Sequence, residues 1–194
     1  KKNLTTKETF VLAIQNHKTN NLKVAENLYK EILKKNPNHS ESIFYLGTLS
    51  VQIKNFDRAK QLLQKAIQIN PKHADAHNNL GIVFNKLKEH KKAIDCYQKA
   101  IQINPKNADP HNNLGLMFEK LGEHKKAIDC YQEVIRIQPN YIEAYKNLGQ
   151  QLVKLKRSSE AIKIYQQALK FKPGNKYILH IISALHGNTT KTAP

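Results

Sequence analysis

Five prolines stand 34 residues apart: Pro37, Pro71, Pro105, Pro139 and Pro173. Other columns keep the same period. Ala25, Ala59, Ala93, Ala127 and Ala161 form one, and Leu12, Leu46, Leu80, Leu114 and Leu148 another. A third reads Tyr29, Leu63, Tyr97, Tyr131, Tyr165, and a fourth Ala13, Gly47, Gly81, Gly115, Gly149. Segments 74–107 and 108–141 are identical at 23 of 34 positions. A fixed period of this size means one supersecondary unit per repeat, each burying its apolar face against its neighbours.

Each unit reads as two helices. Leu80, Val83, Phe84 and Leu87 have helical spacing, which predicts a first helix over 76–88. Ala93, Ile94, Tyr97, Ala100, Ile101 and Ile103 predict a second over 91–103, with the link near Glu89 and His90. Asn104-Pro105 ends the second helix, because the residue before proline disfavours the α region. Asp109-Pro110 suits an N-cap followed by proline in the first turn of the next helix. Glycine inside a helix costs about 1 kcal/mol relative to alanine. A repeated glycine therefore marks a close approach, and the alanine column on the second helix is the expected partner.

These columns resemble the tetratricopeptide repeat (TPR), with Leu80-Gly81, Phe84, Ala93, Tyr97, Ala100 and Pro105 as the matching motif. The resemblance implies an all-α fold, a right-handed superhelical solenoid of antiparallel helix pairs. Five units are expected, over 6–39, 40–73, 74–107, 108–141 and 142–175. Thr9, Ile43, His77, His111 and Tyr145 stand where the family has tryptophan. The first unit departs most, with Thr9 and Asn16 at apolar positions, as a solvent-facing cap requires. Residues 176–187 restart a first helix, with Leu179, Ile182 and Leu185 on one face, and are expected to cap the array. Residues 1–5 and 188–194 are expected to be flexible ends.

Charge does not point to nucleic acid. The 194 residues carry 32 Lys+Arg against 15 Asp+Glu, a net +17. Only Arg58, Arg136 and Arg157 are arginine, the usual reader of base edges and phosphates. Residues 74–141 hold 10 basic and 8 acidic residues, so the excess sits toward the two ends. Weak nucleic-acid binding through those ends is the least favoured alternative. No apolar run approaches a membrane span, and no membrane partner is expected. The expected location is the cytoplasm, although Lys1 in place of a starting Met is what an excised or processed piece would show.

No phosphate loop, nucleophile elbow or zinc-binding spacing occurs, so no cofactor, no metal and no small-molecule substrate are expected. Cys96 and Cys130 are one repeat apart, about 10 Å in a stack and too far for a disulfide. They are expected to be reduced. The nine histidines read as structural or solvated: His73 in an inter-repeat turn, His77 and His111 in packing positions, His90 and His124 in intra-repeat turns.

The columns that suggest binding lie on the first helices. Asn79, Asn113 and Asn147 each precede Leu-Gly, and Asn78 and Asn112 stand beside them. An Asn amide both donates and accepts, so it can hold a peptide backbone whatever its side chains. The chain resembles the TPR superhelix of O-GlcNAc transferase, and the resemblance implies an inner asparagine ladder that holds extended polypeptide. A row that merely bridges adjacent helices is the competing reading. Val11 and Tyr45 interrupt the column in the first two units, and Tyr45 is itself expected to line the groove. Asp75 and Asp109 begin first helices, while Lys86, Lys120 and Lys154 end them. Both columns could orient a charged peptide, or could simply complement the helix dipole. The chaperone-tail clamp of some TPR domains is not expected, because Phe10, Phe44, Asn78 and Ile82 occupy its inner face. The leading expectation is a non-catalytic scaffold that captures polypeptide in a concave groove. Self-association through the termini is a further expectation. The alternative is the recruiting region of a larger bacterial enzyme. The tail from Ser183 to Pro194 resembles the seam before a SAM-dependent methyltransferase domain, and a glycosyl- or sulfotransferase is also conceivable.

Overall fold

The computed structural model describes residues 4–189. Among them the regular elements are eleven α-helices. The chain divides into two compact units, with the boundary between Asn104 and Pro105. The first unit holds α1 (Thr6–Lys18), α2 (Leu22–Lys35), α3 (Ser40–Gln52), α4 (Phe56–Ile69), α5 (Ala74–Lys86) and α6 (His90–Ile103). The second holds α7 (Ala108–Lys120), α8 (His124–Ile137), α9 (Ile142–Lys154), α10 (Ser158–Phe171) and α11 (Lys176–Thr189). Within each unit every helix packs on the next in sequence, and α3 also touches α1 and α5.

The turns inside the pairs share one construction. After α5, Lys88 adopts φ +62°, its N–H bonds Asn85 O at 3.1 Å, and Glu89 N–H bonds Phe84 O at 2.8 Å. This is a Schellman stop, which satisfies two of the last carbonyls of the helix. Asn20, Lys54, Gly122 and Lys156 take the same left-handed conformation at the equivalent place. Only one of the five is glycine.

Capping moves the helix boundaries from their expected positions. The span 76–88 is shifted by two residues, because His73 caps α5 through Nδ1, which accepts from Ala76 N–H at 3.3 Å. Asn107, not Asp109, caps α7, with Oδ1 accepting from Asp109 N–H at 3.1 Å. Asp109 and Pro110 lie inside the first turn. His90 and His124 open α6 and α8 instead of sitting in turns.

The glycine column has a different partner from the one expected. A Cβ built on Gly81 would lie 2.6 Å from the Tyr97 ring, on Gly115 2.7 Å from Tyr131, and on Gly149 2.3 Å from Tyr165. The alanines are fully buried nearby, but the rings fill the space over the glycines. In the repeat with Leu63 the contact to Gly47 relaxes to 3.0 Å. Tyr29, Tyr131 and Tyr165 have no exposed surface and Tyr97 almost none. Each such ring removes roughly 150–250 Å² from water, which makes the tyrosine column the axis of the core.

The ends are tied down further than expected. Thr5 closes a capping box on α1 with Glu8. Thr9 is buried at 2% exposure, and its hydroxyl bonds Thr5 O at 2.9 Å, so a polar residue is tolerated at an apolar position. α11 runs to Thr189. The remaining residues of the expected flexible ends, 1–3 and 190–194, lie outside the described residues, as does the last part of the tail from Ser183.

Candidate functional site

The first helices of neighbouring pairs are stitched to one another by polar side chains. In the first unit, His17 Nε2 and Asn20 Oδ1 meet the Gln52 amide at 3.2 and 3.1 Å, and Asn79 Nδ2 donates to Thr48 Oγ1 at 3.3 Å. In the second unit, Lys154 pairs with Glu119 at 2.9 Å, and Gln150 Nε2 donates to the Tyr177 hydroxyl at 2.7 Å. These contacts join α1 to α3, α3 to α5, α7 to α9 and α9 to α11. Each unit thus presents one face made of first helices.

The asparagines lie at different depths on that face. Asn79 and Asn113 are half-buried, and Asn147 is buried at 7% exposure. Asn78 and Asn112 are also buried. Asn112 Oδ1 has no hydrogen-bond partner. The bond from Asn79 to Thr48 uses one of the two amide hydrogens and leaves the carbonyl for another donor.

Tyr45 is part of a packed aromatic group. Its ring stacks on Tyr29 at 6.0 Å and 13°, with Phe10 at 5.8 Å and Phe44 at 5.1 Å edge-on. Lys86, Lys120 and Lys154 are exposed at the ends of α5, α7 and α9. Asp75 and Asp109 are exposed in the first turns of α5 and α7.

Glu119 is the most constrained acid on the face. Burial disfavours its charged form. The Lys154 ammonium and the Tyr131 hydroxyl, donating at 3.1 Å, outweigh this and hold the carboxyl below its ordinary range. Sequence reasoning singled out Lys154 but missed Glu119, although Glu119 stands 12 residues before Tyr131 just as His17 stands before Tyr29. His17 Nδ1 lies 3.3 Å from the Tyr29 hydroxyl. Burial pushes the His17 pKa down. A neutral ring protonated on Nε2 satisfies both Tyr29 and Gln52.

Three further histidines hold turns and neighbouring helices. His77 and His111 place Nε2 at 3.0 and 3.2 Å from the carbonyls of Pro71 and Pro105, holding the preceding turn. His124 Nδ1 meets Gln151 Oε1 at 2.8 Å. Among the described residues no group of three or more His, Cys, Asp or Glu could hold a metal. Cys96 and Cys130 are free thiols, and burial pushes both pKa values up to about 11. No helix among the described residues is long and apolar enough to cross a membrane.

Sequence profiles of the tetratricopeptide repeat match residues 17–81, 74–107, 108–141 and 142–175. No curated protein sequence matches. Among solved structures, the chain is similar to the crystal structure of MamA, at 31% identity over 83% of this chain and 94% of that one, with a TM-score of 0.75. It is also similar to YrrB, described as a TPR protein with an unusual peptide-binding site, at 20% identity over 91% of each chain and a TM-score of 0.70. Pseudomonas aeruginosa PilF shares the fold at a TM-score of 0.85 and 17% identity, over 95% of this chain and 84% of its own. The chain belongs to the tetratricopeptide repeat family, and its helix pairs are those of a protein-interaction scaffold.

Proposed function

We propose that this chain is a binding scaffold that captures extended polypeptide on the first-helix face of each unit. The observation that carries the reading is the placement of Asn79 and Asn113. Both are half-buried on first helices, deep enough to be held in place and open enough to meet a ligand. The Asn79 carbonyl can accept from a peptide N–H while its amide stays on Thr48. Asn147 sits deeper and contributes less. The exposed lysines at the ends of α5, α7 and α9 and the exposed acids at the starts of α5 and α7 give the face a polarity along each helix. A peptide carrying both charges is oriented by it. YrrB, a protein of the same fold, is described as having an unusual peptide-binding site, which supports peptide binding by an array of such helix pairs.

Backbone contacts alone give modest affinity. Each hydrogen bond contributes about 0.5–1.5 kcal/mol net, and association costs an estimated 4–15 kcal/mol. Side-chain pockets must supply the rest. The test is capture of peptides from an array by the full chain, compared with the Asn79→Ala/Asn113→Ala variant. Binding should weaken about tenfold or more if each asparagine loses one to two bonds, with helicity retained. Equal capture by both proteins would refute the role of the asparagines.

A further inference from the structure

Two tyrosines of the column meet the residue 12 positions earlier through the buried hydroxyl: Tyr29 on His17 and Tyr131 on Glu119. Where the column carries Leu63, the earlier residue is the apolar Val51. The last repeat has no such polar residue. Val153 stands where Glu119 does, yet the column still carries Tyr165. The Tyr165 side chain is fully buried, and its hydroxyl has no hydrogen-bond partner.

The same tyrosine forms part of the wall of an open pocket of about 310 Å³ between α9 and α11. Val153, Ile181 and Leu185 give it apolar sides, and Gln150 and Lys154 also line it. Lys154 is held there by Glu119. The unit that holds the pocket is basic as a whole: residues 105–194 carry 14 Lys+Arg against 7 Asp+Glu.

We infer that this pocket receives a tyrosine side chain from an acidic peptide. Three features select the occupant. The apolar walls need an apolar body. The stranded hydroxyl has no exposed surface at rest, so an occupant bonds it by parting the side chains that cover it, and a phenol tip both donates and accepts. The net positive charge of the unit attracts acidic flanks. The volume exceeds what one ring occupies. The inference rests on the peptide-capture reading and names a side chain that adds affinity to it.

The test uses the full chain and three labelled peptides with identical Glu-rich flanks and a central Tyr, Phe or Ala, read by fluorescence anisotropy. The Tyr peptide should bind at least about 10-fold more tightly than the Ala peptide, the return expected for burying an aromatic ring. It should exceed the Phe peptide by about 3-fold, the return of one hydrogen bond. Tyr165→Phe should abolish the preference for Tyr over Phe while keeping the preference for Phe over Ala. Val153→Glu should restore the internal partner and remove the preference for Tyr over Phe. Tyr165→Phe should not lower the melting temperature, because its hydroxyl makes no bond to lose. Equal binding of all three peptides would overturn the pocket assignment while leaving peptide capture standing. Binding by none of them, alongside a blank peptide array, would overturn both.

Discussion

The ring of Tyr165 occupies the space in which a side chain on Gly149 would begin, with Cζ only 2.3 Å from the position of a Cβ. The conflict is with the rigid end of a fully buried ring. Gly149→Ala should therefore destabilise the protein, although alanine is the better helix former by about 1 kcal/mol. Overpacking of this kind costs typically about 1–3 kcal/mol. Gly47→Ala meets the flexible Leu63 at 3.0 Å and should cost less, with a sign set by how far Leu63 can yield. Urea unfolding of the two variants gives the comparison. A Gly149→Ala protein as stable as the parent would mean the ring is free to move.

Glu119 should matter to stability through what it leaves behind. Glu119→Val would strand the buried Tyr131 hydroxyl and free Lys154, and an unpartnered buried donor costs about 1–3 kcal/mol. The pH dependence follows from sign. Glu119 has a depressed carboxyl pKa, so its contribution is present above the ordinary value of 4.5 and is lost as pH falls toward and through the folded value. His17 has a depressed imidazole pKa, so the neutral ring favours the fold above 6.5 and protonation opposes it below. Melting temperature should therefore fall in acid in two stages, His17 first. Glu119→Gln should shrink the lower stage only, leaving what other carboxyls held below their ordinary range, such as Glu26 beside Lys30 and Arg58, contribute to it. A flat profile from pH 7 to pH 4 would contradict both assignments.

The two thiols should be sluggish. With pKa values near 11, Cys96 and Cys130 hold about 100-fold less thiolate at pH 8 than groups with the reference value of 9.0. Iodoacetamide should label the folded chain far more slowly than the urea-unfolded chain. Comparable rates in the two states would show that the thiols are not shielded.

The repeat made the helix pairs legible from the chain alone. Pro71 and Pro105 marked the breaks between pairs, and the spacing of Leu80, Val83 and Phe84 marked the buried stripe. The boundaries were less legible because the caps come from unexpected side chains. His73 is a poor signal for a helix start by composition, and Lys88 in a left-handed conformation gives no glycine to read. The sequence does not distinguish tyrosine from alanine as the partner of the glycines, because small-against-small packing and small-under-ring packing leave the same gap in sequence. Of the binding face, the columns could be seen but not their depth. Asn79, Asn113 and Asn147 are equivalent in register, yet the third is buried. The mismatch between Val153 and Tyr165 was present in the sequence from the start. It acquires meaning only once the hydroxyl of Tyr131 is seen on Glu119.

The central claim is that ligands lie on the first-helix face. The most direct measurement is the ¹⁵N correlation spectrum of the full chain during titration with a captured peptide. The side-chain amide signals of Asn79 and Asn113 should shift, together with backbone signals near Lys86 and Lys120, while signals of the second helices around Asp95 and Asp129 stay in place. Shifts confined to the second helices, with the Asn79 and Asn113 amides unmoved, would contradict it.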